Sequence, residues 1–272
     1  MGKLFDRKIA VSFGVKGSEG KKITDLRIIF EIEKTSESNP NTIKIQIFNL
    51  NKDSWAVLEN TKSDLSIILE LGYKDEPMEI LFKGDITKAS HTRQGADIVT
   101  TIEAGDGTKG LMNATLDKSY KAGTDEKNVI KDLVNTIKES GSIVVGNLSK
   151  LKTNISQNGL SISGMSKDLL DKLVKKQDLE WNIQDNVLQI LEPKGNTGEE
   201  AIKLTPQTGL IGTPVKREDG IEFTALIQTT KMKPGRLIHI ESRDITGNYR
   251  VRTVSYKGDT HGNEWYTICE AI

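Results

Sequence analysis

The sequence predicts a mainly β protein: two antiparallel β-barrel domains with a small α+β domain between them. Three observations carry this. Apolar residues alternate at period two through residues 9–120. After Gly123 the period changes to a helical stripe, and from residue 209 short alternating strands return, separated by Pro/Gly and Asn/Gly turns. Period two marks half-buried strands, and many short strands with turns between them mark a barrel or sandwich. The boundaries read as 1–120, 121–195 and 196–272, with strands from 107–121 as candidates to complete the last domain.

In the first domain, LRIIFEIEK (26–34) sets Ile28, Phe30 and Ile32 on one face, against Arg27, Ile29, Glu31 and Glu33. TIKIQIFNL (42–50) opposes Ile43, Ile45 and Ile47 to Lys44, Gln46 and Phe48. The polar, Pro-containing TSESNPN between them reads as the tip of a long hairpin. NKDSWAVLEN (51–60) places Trp55 and Leu58 three apart behind an Asn/Asp start, which predicts one short helix. DLSIILELGY, EILFKGDI and ADIVTTIEAG follow as strands, with His91 in a polar connection after Lys88-Ala89-Ser90.

EAGDGTKGLMNA (103–114) holds Gly105, Gly107 and Gly110 at dinucleotide-loop spacing, with Lys109 between the last two. A phosphate cradle needs a strand before the loop and a helix opening at it, where free N–H groups meet the anion. IVTTIEA supplies the strand. In LMNATLDKSYKAG, Met112, Ala114, Leu116 and Tyr120 alternate with Asn113, Thr115, Asp117 and Ser119, so a second strand is expected and the glycines read as a strand–turn–strand corner. A helix beginning at Gly107 would reverse that reading. Lys109 is followed by Gly, which excludes a P-loop.

The middle domain opens with TDEKNVIKDLVNTIKES. Thr124 is the expected N-cap, Val129, Ile130, Leu133, Val134 and Ile137 form the buried stripe, and Gly141 is the stop. A second helix starts near Ser166 with Leu169, Leu170, Leu173 and Val174 inward. LEWNIQDNVLQILEP then reads as a hairpin turning at Asp185-Asn186, and PKGNTGEE leads out. In the last domain Pro234-Gly235 opens RLIHIES, Thr246-Gly247-Asn248 is the expected turn into YRVRTVSYKG, and Asp259–Asn263 turns into EWYTICEAI.

GLIGTP (209–214), DGIEFTALI (219–227), KPGRLIHIES (233–242) and GNYRVRTVSYKGDTHGNEWYTICEA (247–271) resemble the baseplate hub proteins of contractile phage tails and related particles, the late control protein D family. The order of barrel, helix-plus-hairpin domain and second barrel also matches, and the resemblance is most specific over 160–272. It implies two tube-protein-like barrels per subunit and a homotrimer at the tip of the tail tube. Such a ring adapts the six-fold tube to a three-fold spike and lets the tape measure protein and DNA pass. The implied partners are the tail tube protein, a spike or spike-adaptor protein, the tape measure protein and other baseplate proteins. DNA passes without specific binding, and no membrane is involved. The implied location is the virion baseplate, after synthesis in the host bacterial cytoplasm. With the last strand ending at Ala271, no fused spike or lytic domain is expected.

Composition agrees. The chain of 272 residues balances 38 basic against 38 acidic side chains, which gives no global attraction to nucleic acid or anionic membrane. IAVSFGV is too short for a signal segment, Asp6 replaces the Ser or Thr of a myristoylation site, and no apolar run approaches the roughly 20 residues of a membrane span. The single cysteine, Cys269, is expected in a core and forms no intrachain disulfide. His91, His239 and His261 share no metal-ligand spacing. Asp259, His261 and Glu264 are the one close polar trio, and they read as a solvated turn between Gly258 and Gly262. Asp125 and Glu126 fall at a helix start, where carboxylates offset the dipole. No catalytic, cofactor-binding or metal-ligating residue is therefore assigned, and no enzyme activity is expected. The alternative is a cell-wall or glycan-acting enzyme, or a carbohydrate-binding module, of the tail tip. Trp55, Trp181 and Trp265 are scattered with no sugar-stacking row, which disfavours it.

Overall fold

A computed structural model describes residues 6–59, 64–74, 76–141, 143–193, 200–227 and 232–272. The first residues of the N-terminal segment and most of the PKGNTGEE exit lie outside the described residues. The first part of the chain runs β1 (Arg7–Val15), β2 (Lys21–Ile23), β3 (Ile28–Thr35), β4 (Thr42–Phe48), α1 (Lys52–Glu59), β5 (Leu65–Tyr73), β6 (Glu79–Gln94) and β7 (Asp97–Gly105). It continues through α2 (Thr108–Asn113), β8 (Thr115–Tyr120), α3 (Glu126–Ser140), β9 (Val144–Val145), β10 (Leu160–Met165), α4 (Ser166–Lys176), β11 (Glu180–Gln184) and β12 (Val187–Leu191). It closes with β13 (Ile202–Leu204), β14 (Leu210–Arg217), β15 (Gly220–Leu226), β16 (Leu237–Glu241), β17 (Thr246–Asp259) and β18 (Trp265–Ala271). No helix among the described residues is long and apolar enough to cross a membrane.

The mainly β class with an α+β part holds. The N- and C-terminal strands, however, form one sheet of 13 strands, not two separate closed barrels. Its main path is β14-β15-β18-β17-β3-β4-β7-β6-β5-β1-β2, and β13 joins through β16, which pairs with β17. The junction is β17, whose residues Thr253–Asp259 lie antiparallel to β3 on one side while it pairs with β18 on the other. A free β17 edge would leave backbone N–H and C=O groups unpaired, and β3 satisfies them. One apolar core follows, containing Ile28, Phe30, Ile45 and Leu69 beside Phe223, Val254, Tyr256 and Cys269.

The chain divides into two compact units. The first holds residues 1–35, 41–105 and 197–272, and the second holds 36–40 and 106–196. The second unit thus begins at Asp106, ahead of the expected 121. Strand β8 is the reason: it pairs with β10 inside that unit and does not complete the C-terminal strands. Val129, Ile130, Leu133, Val134 and Ile137 of α3 are buried against Leu170 and Val174 of α4 and against Trp181, Leu188 and Ile190.

Local chemistry sets the element ends. Asn51 Oδ1 accepts from the Ser54 amide at 2.8 Å and opens α1. Asp125, not the expected Thr124, caps α3, and its Oδ1 accepts from the Lys127 amide at 3.0 Å. Gly141 ends that helix. Asp185 and Asn186 both take positive φ (53° and 67°), as a two-residue hairpin turn of the primed type requires. Thr246–Asn248, expected as a turn, opens β17 instead. The chain reverses at Ser242–Ile245, where Ser242 Oγ accepts from the Ile245 amide.

Candidate functional site: two turns and the free sheet edges

The glycine loop is a packing site. The strand expected over 111–123 forms only as β8, and residues 108–113 ahead of it form α2, capped by Gly107 at φ 62°, which overturns the strand–turn–strand corner. The helix that would favour a cofactor is therefore present, and what fills the loop decides its meaning. The Gly107 amide donates to Asn186 Oδ1 at 2.8 Å, and the Asp185 amide donates to Asp106 Oδ2 at 3.0 Å. A Cβ on Gly107 would lie 2.7 Å from Ile183 Cδ1, and one on Gly110 would lie 2.8 Å from both the Ile137 carbonyl and Ile143 Cδ1. Gly105 ends β7 opposite Thr42 of β4 and Asp85 of β6. The space and the loop amide a phosphate would use are taken by the second unit's own hairpin and helix. The preceding strand β7 pairs antiparallel with β4 and β6, so the loop opens no βαβ unit among the described residues.

The trio at the other turn is dispersed. Arg27 grips the Asp259 carboxylate with both ends of its guanidinium, Nε to Oδ1 at 3.2 Å and Nη2 to Oδ2 at 2.7 Å. The His261 amide donates to the same Oδ1 at 2.9 Å. Arg7 Nη1 donates to the carbonyls of Asp259 and Gly262, and its guanidinium lies over the Trp265 ring. The Arg27 hydrogen bond holds the Asp259 carboxyl below its usual range, against the opposing effect of burial, with the His261 and Gly262 backbone assisting. The His261 ring contacts Thr260 Oγ1, and Glu264 Oε1 accepts from the Tyr266 hydroxyl. An acid held by an arginine and two amides orients no imidazole and activates no nucleophile. The turn clamps the ends of β1 and β3 to the β17–β18 hairpin.

The other histidines are also separate. His91 lies within β6, because the polar run after Asp85 continues the strand to Gln94; its ring stacks on Trp55 at 4.5 Å between centroids. His239 in β16 contacts Asn248 Oδ1 and Glu241 Oε1. No group of three or more His, Cys, Asp or Glu side chains suited to a metal occurs among the described residues. Cys269 is fully buried, which pushes its thiol pKa well up. Trp181 and Trp265 are buried, and the Trp265 Nε1 donates to the Tyr73 hydroxyl at 3.1 Å.

What the first unit does present is free strand edges. Among the described strands, β2 and β14 end the sheet path, and β6 continues past Asp85, the last residue of its pairing with β5. Ile211 and Val215 of β14 are exposed beside the bulge at Gly212 (φ 67°). Sequence reasoning missed the β6 extension because ITKASHTRQ has only Ile86 and Ala89 as apolar residues, three apart, and carries no period of two.

Solved structures share this fold across the whole chain. The 43 kDa tail protein of prophage MuSo2 from Shewanella oneidensis matches with a TM-score of 0.67 at 12% identity, covering 98% of each chain. The tail protein from Neisseria meningitidis MC58 matches with a TM-score of 0.68 at 11% identity, covering 97% of this chain and 96% of that one. A type VI secretion system component from E. coli matches with a TM-score of 0.60 at 12% identity, covering 96% of this chain and 76% of that one. No curated protein sequence matches the chain. The baseplate hub gp41 family matches residues 8–271, nearly the whole chain. The chain belongs to the baseplate hub gp41 family, structural proteins of the phage tail.

Proposed function

We propose that this chain is the subunit of a homotrimeric hub ring at the tip of the tail tube, joining the six-fold tube to a three-fold spike. Family membership supports the tail-tip role. The observation that carries the finer reading is the junction of β3 and β17, which unites an N-terminal and a C-terminal strand set in one sheet. Three subunits then present six strand sets, each N-terminal set joined to its C-terminal one within a single sheet. Closed rotational symmetry repeats one interface without open growth. The partners are the tail tube protein, a spike or spike-adaptor protein, the tape measure protein and other baseplate proteins. The E. coli type VI component is described as similar to T4 tail proteins gp27 and gp5, which accords with a spike-adjacent place. A balance of 38 basic and 38 acidic side chains suits a lumen that passes DNA, since strong phosphate binding impedes transit.

The role proposed is structural, with no catalytic step. The clamped Asp259, the filled glycine loop and the tryptophans held in packing contacts support this reading over a glycan-acting one. Light scattering tests both. A mass near three times 30.1 kDa, alone or with spike and tube partners, is the expected result, with no clearing of a peptidoglycan suspension. A chain that stays monomeric with those partners present and clears the suspension would overturn the hub reading.

A further inference from the structure

We propose that the outer edge of β6 between Ile86 and Gln94 receives an extended acidic segment of a different tail protein, which joins the sheet as an added strand. The inference rests on the hub reading and names a partner chemistry for it.

The edge is real and pre-built. Strand β5 pairs with β6 only through Asp85, whereas β7 pairs with it from Asp85 to Gln94. Among the described residues, Ile86 to Gln94 therefore pair with β7 on one side, Thr87 bulging out of register, and leave the other side open over about 30 Å of extended chain. The hairpin they form is held in place from below. Asn49, in the left-handed region at φ 57°, donates its amide to the Ile98 carbonyl at 2.7 Å. Its side chain accepts from the Ile98 amide and donates to Asp97 Oδ1. The Trp55–His91 stack fixes the middle of the arm. A strand that is already extended costs little ordering when a partner adds to it.

Charge selects the occupant. Residues 86–94 carry Lys88 and Arg93 and no carboxylate. Lys88 stands opposite Glu103 in register, yet neither Lys88 nor Arg93 makes an ion pair among the described residues. The Arg93 Nε donates to the nearby Gly95 carbonyl. On the other free edges Lys22 of β2 is paired to Glu70 and Arg217 of β14 to Glu222, while Lys21 and Lys216 make no ion pair among the described residues, so those edges are also basic. Lys88 and Arg93 are five residues apart, so they lie on opposite faces of the strand. The added strand must offer a carboxylate on each face. No free edge strand of a second copy does so among the described residues: β2, β13 and β14 carry only cations, β9 and β10 no charge, and β8 and β11 one carboxylate each. The unneutralised cations also repel those basic edges, which guards the arm until its partner arrives.

Assembled tails provide the test. Amide exchange of this chain is measured in purified tails and in the free subunit, and Thr92→p-benzoylphenylalanine is photo-crosslinked in the tails. We expect alternate amides between Thr87 and Gln94 to slow by about tenfold or more, and the crosslink to land on an acidic extended segment of another protein. Lys88→Glu with Arg93→Glu should lower the crosslink yield by about tenfold, and Lys88→Gln with Arg93→Gln by less. Unchanged exchange in tails that contain the chain would overturn the inference, leaving the charges as guards alone. So would a crosslink to a second copy or to a segment without carboxylates, or an undiminished yield in the charge-reversed variant. Absence of the chain from the tails would overturn the hub reading itself, and the inference with it.

Discussion

Gly107 and Gly95 share a φ of 62°, and only their surroundings differ. A Cβ on Gly95 meets nothing within 4 Å, whereas one on Gly107 meets Ile183 and Ile143. Gly95→Ala should therefore cost about 1–2 kcal/mol, the left-handed conformation alone. Gly107→Ala should cost a further 1–3 kcal/mol or so from overpacking. Urea denaturation of the two variants measures the difference, and equal losses would show that the loop has room to spare. Asp259 offers a second residue-scale test. Its carboxyl pKa is lowered in the folded protein, chiefly by Arg27. The stability it confers is thus present above the unfolded carboxylate value, near pH 4, and is lost as pH falls through the lower folded value. Asp259→Asn should lower stability at pH 7 by about 1–3 kcal/mol, with a shallower decline below pH 4 than the parent shows.

At the scale of elements, β17 carries the largest consequence. It pairs with β16, β18 and β3, and so ties strands more than 200 residues apart in sequence into one core. A fragment of residues 196–272 should fail to fold alone, because its β17 edge and the apolar face beneath it lose β3 and the N-terminal core. A fragment of residues 106–193 holds its own apolar cluster around α3, α4 and the β11–β12 hairpin. It should give a helical circular-dichroism spectrum and a cooperative melt. The reverse outcome would show that the two ends of the chain are separable barrels after all. Neither the pairing of β17 with β3 nor the helical turn at 108–113 is legible locally. Strand alternation does not name a partner, and TKGLMN is too short to display a helical period.

For the whole molecule, a hub at the tube tip is expected to nucleate assembly. Electron microscopy of particles made without this chain should show no complete tails; normal tails would remove it from the assembly path. Balanced charge does not make the surface uniform. Lys88 and Arg93 leave one free edge basic, and a partner of opposite charge is the natural complement there.

The sequence by itself determined the class of the elements with a clear period, because alternation over 28–34 and 43–48 and the stripe from Val129 to Ile137 record which side chains leave water. It also carried the family, through the punctuated strands after residue 209, and the absence of any motif with metal or nucleophile spacing. Tertiary structure alone decided that the two strand sets share one sheet and that the glycine loop is filled by Asn186 and Ile183. It also decided that β6 outruns β5 to leave an open basic edge. The physical reason is common to all three. Burial leaves its period in the sequence, but hydrogen-bond partners and close backbone approaches join residues far apart in the chain, and no local pattern records them.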